Sequence, residues 1–222
     1  MDYKIIEVKE QILADNDRIA AETRRQLRQQ DTVLINLMGS PGAGKTSCLL
    51  RLIDLLGSQF QIGVMEADVD ADVDAKAVCA AGAKVIQLHT GGLCHMDADM
   101  TARGLQALDL SGLDIVFLEN VGNLVCPAEF DVGADLRMMI LSVPEGDDKP
   151  LKYPLMFTVS DVMLINKIDT APIFDFSFDL ACSRAKACNP DIAVFPVSAK
   201  TGEGFDALAE MLRSFFERRR QE

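Results

Sequence analysis

The eight residues from Gly39 to Thr46, GSPGAGKT, constrain this chain more than any other stretch. They fit G-x-x-x-x-G-K-[ST], follow directly on the apolar run TVLINLM, and open a helical pattern, KTSCLLRLIDLL. A glycine-rich loop between a strand and a helix turns its backbone N–H groups toward phosphate oxygens, and the helix N-terminus adds positive potential behind them. Gly39, Gly42 and Gly44 let the main chain of Ala43 and its neighbours wrap a phosphate. Lys45 reaches the β- and γ-phosphates, the Thr46 hydroxyl suits magnesium, and Ser47 continues the cradle into the helix. A turn that held no ligand would not need all three residue types in this context.

A cradle of this kind requires a particular scaffold, and the rest of the chain supplies its parts. Seven short apolar runs, TVLINLM, QIGVME, AKVIQLH, DIVFLEN, RMMILSV, DVMLINK and IAVFPVS, are mostly separated by segments with helical spacing such as FDALAEMLRSFF. Apolar runs that do not alternate with polar residues suit strands buried on both faces, and their repetition with helices points to right-handed crossovers. The expected fold is α/β: a mostly parallel central β-sheet flanked by helices on both faces, of the P-loop NTPase kind. Ligands in such sheets bind at the carboxyl ends of the strands.

Residues 1–30 read as an N-terminal helical extension. It is polar from Lys9 to Gln29, with Ile12, Leu13, Ile19 and Leu27 as its large aliphatic residues, and is expected to lie on the surface or face a partner. Residues 31–222 form the P-loop domain. VPEGDDKPLKYP, residues 143–154, is expected to be a long loop. Cys48, Cys79, Cys182 and Cys188, together with Met138 and Met139, are expected to pack inside. His89 reads as a strand-end residue, and ERRR, residues 217–220, as favourable charge at a helix C-terminus.

A formal charge of −12 argues against nucleic acid or an anionic membrane as partner, because both favour basic surfaces. The first thirty residues carry charges throughout and no apolar core of a signal peptide, and no apolar run is long enough to span a bilayer, so a cytoplasmic protein with reduced thiols is expected.

The base that accompanies the phosphates is read from NKID, Asn166 to Asp169, at the end of DVMLI. A carboxylate at Asp169 can accept from both N1 and N2 of guanine, while Asn166 fixes the loop and the N7 side and Lys167 stands between them. One strand later SAK, Ser198, Ala199 and Lys200, can offer backbone N–H groups to O6. The three loops in this order predict a GTPase that cycles between GTP and GDP. Glu119 in ENVG is a candidate magnesium carboxylate, and the Gly122 N–H can meet the γ-phosphate. Among the acidic residues Asp68, Asp70, Asp72 and Asp74, one or two are expected to serve magnesium or the attacking water. No glutamine follows Gly122 to orient water, so slow intrinsic turnover is expected.

Cys94 and His95 stand side by side in GGLCHMD, and Cys126 lies four residues beyond Gly122. Thiolate and imidazole are ligands that zinc and nickel prefer. Adjacent residues often point apart, so one subunit would struggle to fill a tetrahedral site from these three, and a dimer sharing the metal would solve this. The other reading is of Cys94 and Cys126 as core thiols with His95 at a helix start.

From Thr32 onward the chain resembles the hydrogenase nickel-incorporation GTPases, the HypB family of the SIMIBI class. The resemblance rests on the P-loop, TGGLCHMDADM, ENVGNLVCPAEFDVG, SVPEGDDKPLKYP and NKID in that order. It implies that Cys94, His95 and Cys126 form a zinc or nickel site at a dimer interface coupled to GTP. It further implies Asp74 and Glu119 as switch carboxylates near magnesium and Lys149 approaching the nucleotide across the dimer; with the residues read above, the expected magnesium set is Thr46, Asp68, Asp74 and Glu119, and the expected catalytic residues are Lys45, Asp74 and Glu119. The implied partners are a second copy of the chain, the small zinc-containing chaperone HypA and the large-subunit precursor of [NiFe]-hydrogenase. Residues 1–31 hold neither cysteine nor histidine, so nickel storage is not expected there, and Ala71 stands where many relatives carry a switch threonine. A urease-type accessory GTPase and a dimer stapled by structural zinc are the alternatives. The former typically shows Cys-Pro before its metal histidine and ESGGDN in place of ENVGNL.

Overall fold

The computed structural model describes residues 8–68 and 73–220, with side chains for residues 12–68 and 76–220. Seven parallel strands form one sheet: β1 (Val33–Gly39), β2 (Ile62–Asp68), β3 (Lys84–His89), β4 (Ile115–Glu119), β5 (Leu136–Ser142), β6 (Val162–Asn166) and β7 (Ala193–Pro196). Their spatial order is β3-β2-β4-β1-β5-β6-β7, which places β1 at the centre, where the connections change direction. Each expected apolar run became a strand.

Alternate residues of β1 reach opposite faces, as the period of a strand demands. Ile35 and Leu37 join one core with Leu49 and Leu52 of α2 (Lys45–Leu56) and with Leu208 and Leu212 of α9 (Phe205–Arg219). Leu34 joins a second core with Leu27 of α1 (Val8–Gln29) and with Leu105 and Leu108 of α4 (Ala98–Leu108). Met38 joins a third with Phe157 of α7 (Pro154–Val159) and Ala181 of α8 (Phe178–Cys188). Helices therefore cover both faces, and the strand ends at Gly39, Asp68, Glu119 and Asn166 open along one edge. Among the described residues no helix is long and apolar enough to cross a membrane.

Several expectations are corrected. The helix α1 is docked as well as amphipathic: Asn16 and Thr23 are buried along with Ala20 and Leu27, while Ile12 is exposed. The Asn16 amide donates to the Asp131 carbonyl at 2.9 Å and accepts from the Ala98 N–H at 2.9 Å, and Arg24 pairs with the Asp131 carboxylate. Polar anchors of this kind leave no mark in an apolar period. The segment 143–154 is not one long loop. It holds a 3₁₀ turn at Val143–Glu145, α6 (Lys149–Lys152) and the start of α7, because its prolines sit in first turns, where the missing N–H costs nothing. Cys79, in α3 (Val73–Ala80), is exposed rather than packed. Arg219 and Arg220 do more than favour a helix end, since they pair with Asp135 and Asp114 beside the sheet. Met138 and Met139 are fully buried, and His89 ends β3 exposed.

Candidate nucleotide and metal site

The loop between β1 and α2 is built around backbone that only glycine tolerates. Gly44 has φ 96°, and a Cβ there would overlap the amide nitrogen of Asn166. A cavity of about 610 Å³ opens over this loop, lined by Pro41, Gly42, Gly44, Lys45, Thr46 and Ser47 on one side and by Glu66, Asp68, Glu119 and Gly122 on the other. Lys45 is nearly buried, and its ammonium donates to the Ser40 carbonyl at 3.4 Å, curled back over the loop it belongs to. Gly39 pairs antiparallel with Asn123, which brings the segment after β4 against the cradle. A Cβ on Gly122 would stand 2.9 Å from the Pro41 ring, so these two loops have room only for hydrogen between them.

A second cavity of about 310 Å³ adjoins the first through Gly44, Ser47 and Lys167 and is lined further by Asn166, Asp169, Thr170, Ala199 and Lys200. Its walls are braced by side chains. Asn166, buried at the end of β6, donates to the Ala43 carbonyl at 2.9 Å and accepts from the Ala199 N–H at 3.1 Å. The amide that the sequence assigns partly to the N7 side of guanine is thus spent on holding the two loops together. The same bond ties the Ala199 N–H to the end of β6. Lys167, left-handed at φ 62°, donates to the Gly42 carbonyl at 2.6 Å. Ser198, wholly buried, donates to Asp169 at 2.6 Å and so aims its carboxylate. Arg51 of α2, which the sequence did not single out, donates to the carbonyls of Ala199 at 2.8 Å and Lys200 at 3.0 Å. The signal was its place two turns into the helix that the P-loop opens.

At the strand ends, the Thr46 hydroxyl donates to Glu119 at 2.9 Å. Glu119 is buried, not solvated, and stands in register with Glu66 on β2. A hydroxyl and two carboxylates around a phosphate cavity are the hard oxygen donors that magnesium takes. Asp68 lines the same cavity. Asp70 and Asp72 lie outside the described residues. Asp74 falls in the first turn of α3, with its side chain also outside them. Lys149 opens α6 and lines neither cavity. Beneath the P-loop, burial and the neighbouring Glu119 push the Cys48 thiol up to about 12, so it is an inert packing group.

The three candidate metal ligands converge within one chain. Donor atoms of Cys94, His95 and Cys126 all lie within 4.8 Å of one another. Cys94 Sγ donates to Cys126 Sγ at 2.9 Å and lies 3.8 Å from His95 Nδ1. Two successive left-handed glycines, Gly91 and Gly92, turn the chain out of β3, and Asp97 caps α4 by accepting from Met100 N–H at 2.8 Å. Between turn and cap, Cys94 and His95 are presented on the same side, not splayed as neighbours often are. The thiols are not core groups, for Cys94 is exposed and Cys126 half-buried. His95 stacks on Phe130 with ring centroids 4.1 Å apart. Burial lowers its pKa against the opposing charges of Asp97 and Glu129, which favours the neutral imidazole a metal needs. The hydrogen bond with Cys94, then burial, push the Cys126 thiol up. Two sulfurs and one nitrogen fit a soft or borderline metal and leave a tetrahedral fourth position for another donor.

Residues 32–196 match the family profile described as CobW/HypB/UreG, nucleotide-binding domain. The hydrogenase maturation factor HypB of Azotobacter vinelandii is 46% identical over 201 residues, covering 90% of this chain. This chain spans only 66% of that relative's length. The crystal structure of HypB from Archaeoglobus fulgidus superposes with a TM-score of 0.86 at 38% identity, covering 92% of this chain and all of that one. The structure of HypB from Helicobacter pylori in complex with nickel gives 0.88 at 34%, covering 92% of this chain and 96% of that one.

Proposed function

Since the chain belongs to the CobW/HypB/UreG family, and to its HypB members, we propose that it is a GTP-hydrolysing switch that binds a transition metal and delivers nickel during [NiFe]-hydrogenase maturation. The observation that carries this reading is the convergence of Cys94, His95 and Cys126 on the segment that also walls the phosphate cavity at Gly122. Nothing about a nucleotide-binding domain alone calls for a soft-donor site there.

In this reading the backbone of Gly39, Gly42, Ala43 and Gly44 and the side chains of Lys45 and Ser47 hold the phosphates. Thr46 and Glu119, with Asp68 and Asp74, hold magnesium, and Glu119 and Asp74 orient the attacking water. Asp169 selects guanine, aimed by Ser198, while Asn166, Lys167, Ala199 and Lys200 shape the pocket. Bound GTP supplies a γ-phosphoryl group whose charge is sensed by Gly122 and whose loss relaxes the segment leading to Cys126. Metal and nucleotide then change each other's affinity by the same factor.

The fourth donor comes from a second copy of the chain, water or the next carrier, which makes the site open enough to release its cargo. Zinc or nickel fills it. A homodimer, the HypA chaperone and the hydrogenase large-subunit precursor are the partners this reading requires. A cytoplasmic setting suits the unpaired thiols.

One observation favours a second reading: three converging donors near the surface, Cys94 exposed and His95 and Cys126 half-buried, also suit a zinc staple between two copies. Cys94→Ala in cells separates the two. Loss of hydrogenase activity, restored by excess nickel, with dimerisation intact supports delivery. Hydrogenase activity that survives while dimerisation is lost supports the staple.

A further inference from the structure

Asn120 follows Glu119 at the end of β4 and is wholly buried. Its side chain joins three segments that the sequence keeps far apart. Its Oδ1 accepts from the Met96 N–H at 3.1 Å and from the Val121 N–H at 2.9 Å, and its Nδ2 donates to Asn36 Oδ1 on β1 at 3.2 Å. Both lone pairs of the amide oxygen are therefore in use, and the bond to Asn36 decides which end of the amide faces Met96. Met96 is the residue after His95. Val121 is the residue before Gly122, which is wedged against Pro41 of the P-loop.

Any shift of residues 121–122 on the cradle thus meets a buried amide that also holds the backbone beside His95. A buried amide that loses a partner is left unsatisfied, so the bond to Met96 either carries the motion across or breaks at a cost. A second tie runs parallel nearer the surface: Asn123 donates its backbone N–H to the Gly39 carbonyl at 3.0 Å and its side-chain amide to the Cys94 carbonyl at 3.4 Å.

We propose that Asn120 is the positioning residue through which the nucleotide state sets the geometry of the Cys94–His95–Cys126 site. Its backbone position borders the phosphate cavity, while its buried side-chain amide is bonded to Asn36, Met96 and Val121. It fixes the backbone beside that cavity and beside His95. This inference rests on the reading of the site as a nucleotide-coupled metal switch.

The test is nickel(II) titration of the full chain loaded with GDP or with a non-hydrolysable GTP analogue, for the parent protein and for Asn120→Ala. The parent is expected to show an affinity ratio between the two forms in the range of about 5–150-fold, and the variant a ratio within about twofold of one. A merely structural residue would weaken binding equally in both forms and leave the ratio where it was, and that result overturns the proposal. A parent ratio of one overturns the switch reading itself, and the role of Asn120 with it. If Asn120→Ala does not fold, Asn36→Ala takes its place, since it frees the amide to turn while leaving both accepted bonds possible. A reduced ratio supports the proposal and an unchanged one overturns it. Amide hydrogen exchange gives an independent reading: protection at Met96 is expected to depend on the nucleotide in the parent and not in the variant.

Discussion

The two halves of the site are held in opposite ways. Around the base and phosphates, several side chains are already committed to the protein itself: Asn166 to Ala43 and Ala199, Lys167 to Gly42, Ser198 to Asp169, Arg51 to the next loop. Around the metal ligands, Cys94, His95 and Cys126 touch chiefly each other and Phe130, at the surface. The nucleotide half is braced by cross-loop hydrogen bonds, so binding there costs little ordering, whereas the metal ligands lie nearer the surface and are held by fewer such bonds. A switch needs this asymmetry, because a metal site as rigid as the P-loop would have no second state for the nucleotide to select.

The contrast can be broken most sharply at Asp169. Asp169→Asn removes an acceptor of two charge-assisted hydrogen bonds, each worth about 1.5–3 kcal/mol, so guanine nucleotide affinity is expected to fall roughly 10²–10⁴-fold while xanthine nucleotides gain. Fluorescence titration with labelled GDP measures it. Nickel affinity of the nucleotide-free protein is expected to stay the same, and a parallel loss would mean the halves are not separable.

At the other half, Cys94→Ala is expected to weaken nickel or zinc binding by more than ~100-fold, since even outer-shell partners of a metal are worth 10–100-fold. GDP affinity measured without metal should not move, because the nucleotide pocket braces itself. A GDP loss comparable to the metal loss would contradict the preorganised picture.

Acid sharpens the same contrast with a smaller effect. The Cys126 thiol is pushed up and must lose its proton to bind metal, so apparent metal affinity falls with falling pH, up to about tenfold per unit for each proton displaced. Calorimetry of zinc binding in two buffers of different ionisation enthalpy counts those protons. No release on binding would place the metal elsewhere.

The smallest effect concerns the scaffold behind the metal half. Burial alone would raise the pKa of Asp131, but hydrogen bonds from Arg24 and the Gly133 N–H and the charge of Arg137 hold it below the usual carboxylate range. Its contribution is present above the unfolded pKa and is lost as pH falls through the lower folded value. Arg24→Ala is expected to cost about 1 kcal/mol in urea unfolding near neutral pH, and less once Asp131 is protonated. An undiminished penalty in acid would show that Arg24 acts through packing.

The contrast also explains what was legible in the sequence. The seven strands were readable because buried parallel strands are apolar on both faces, and the nucleotide motifs because backbone chemistry dictates their residue types and spacing. Whether Cys94 and His95 converge was not readable, since that depends on the direction set by the left-handed pair Gly91 and Gly92. Nor were the buried amides of Asn16 and Asn120, because they act by tertiary hydrogen bonds that follow no period, whereas the motif around Asn166 marked it as fixing its loop. Prolines between 143 and 154 read as loop signals, though in a first turn they start helices. Asp70, Asp72 and the Asp74 side chain, in the acidic stretch, lie outside the described residues, so their expected roles rest on sequence and family alone.

The most direct test of the account is the nickel affinity of the unmodified chain in its GDP form and with a non-hydrolysable GTP analogue, measured side by side. The two affinities are expected to differ at least about fivefold. Equal affinities would mean that nucleotide and metal occupy one chain without acting on each other, and the switch would be contradicted.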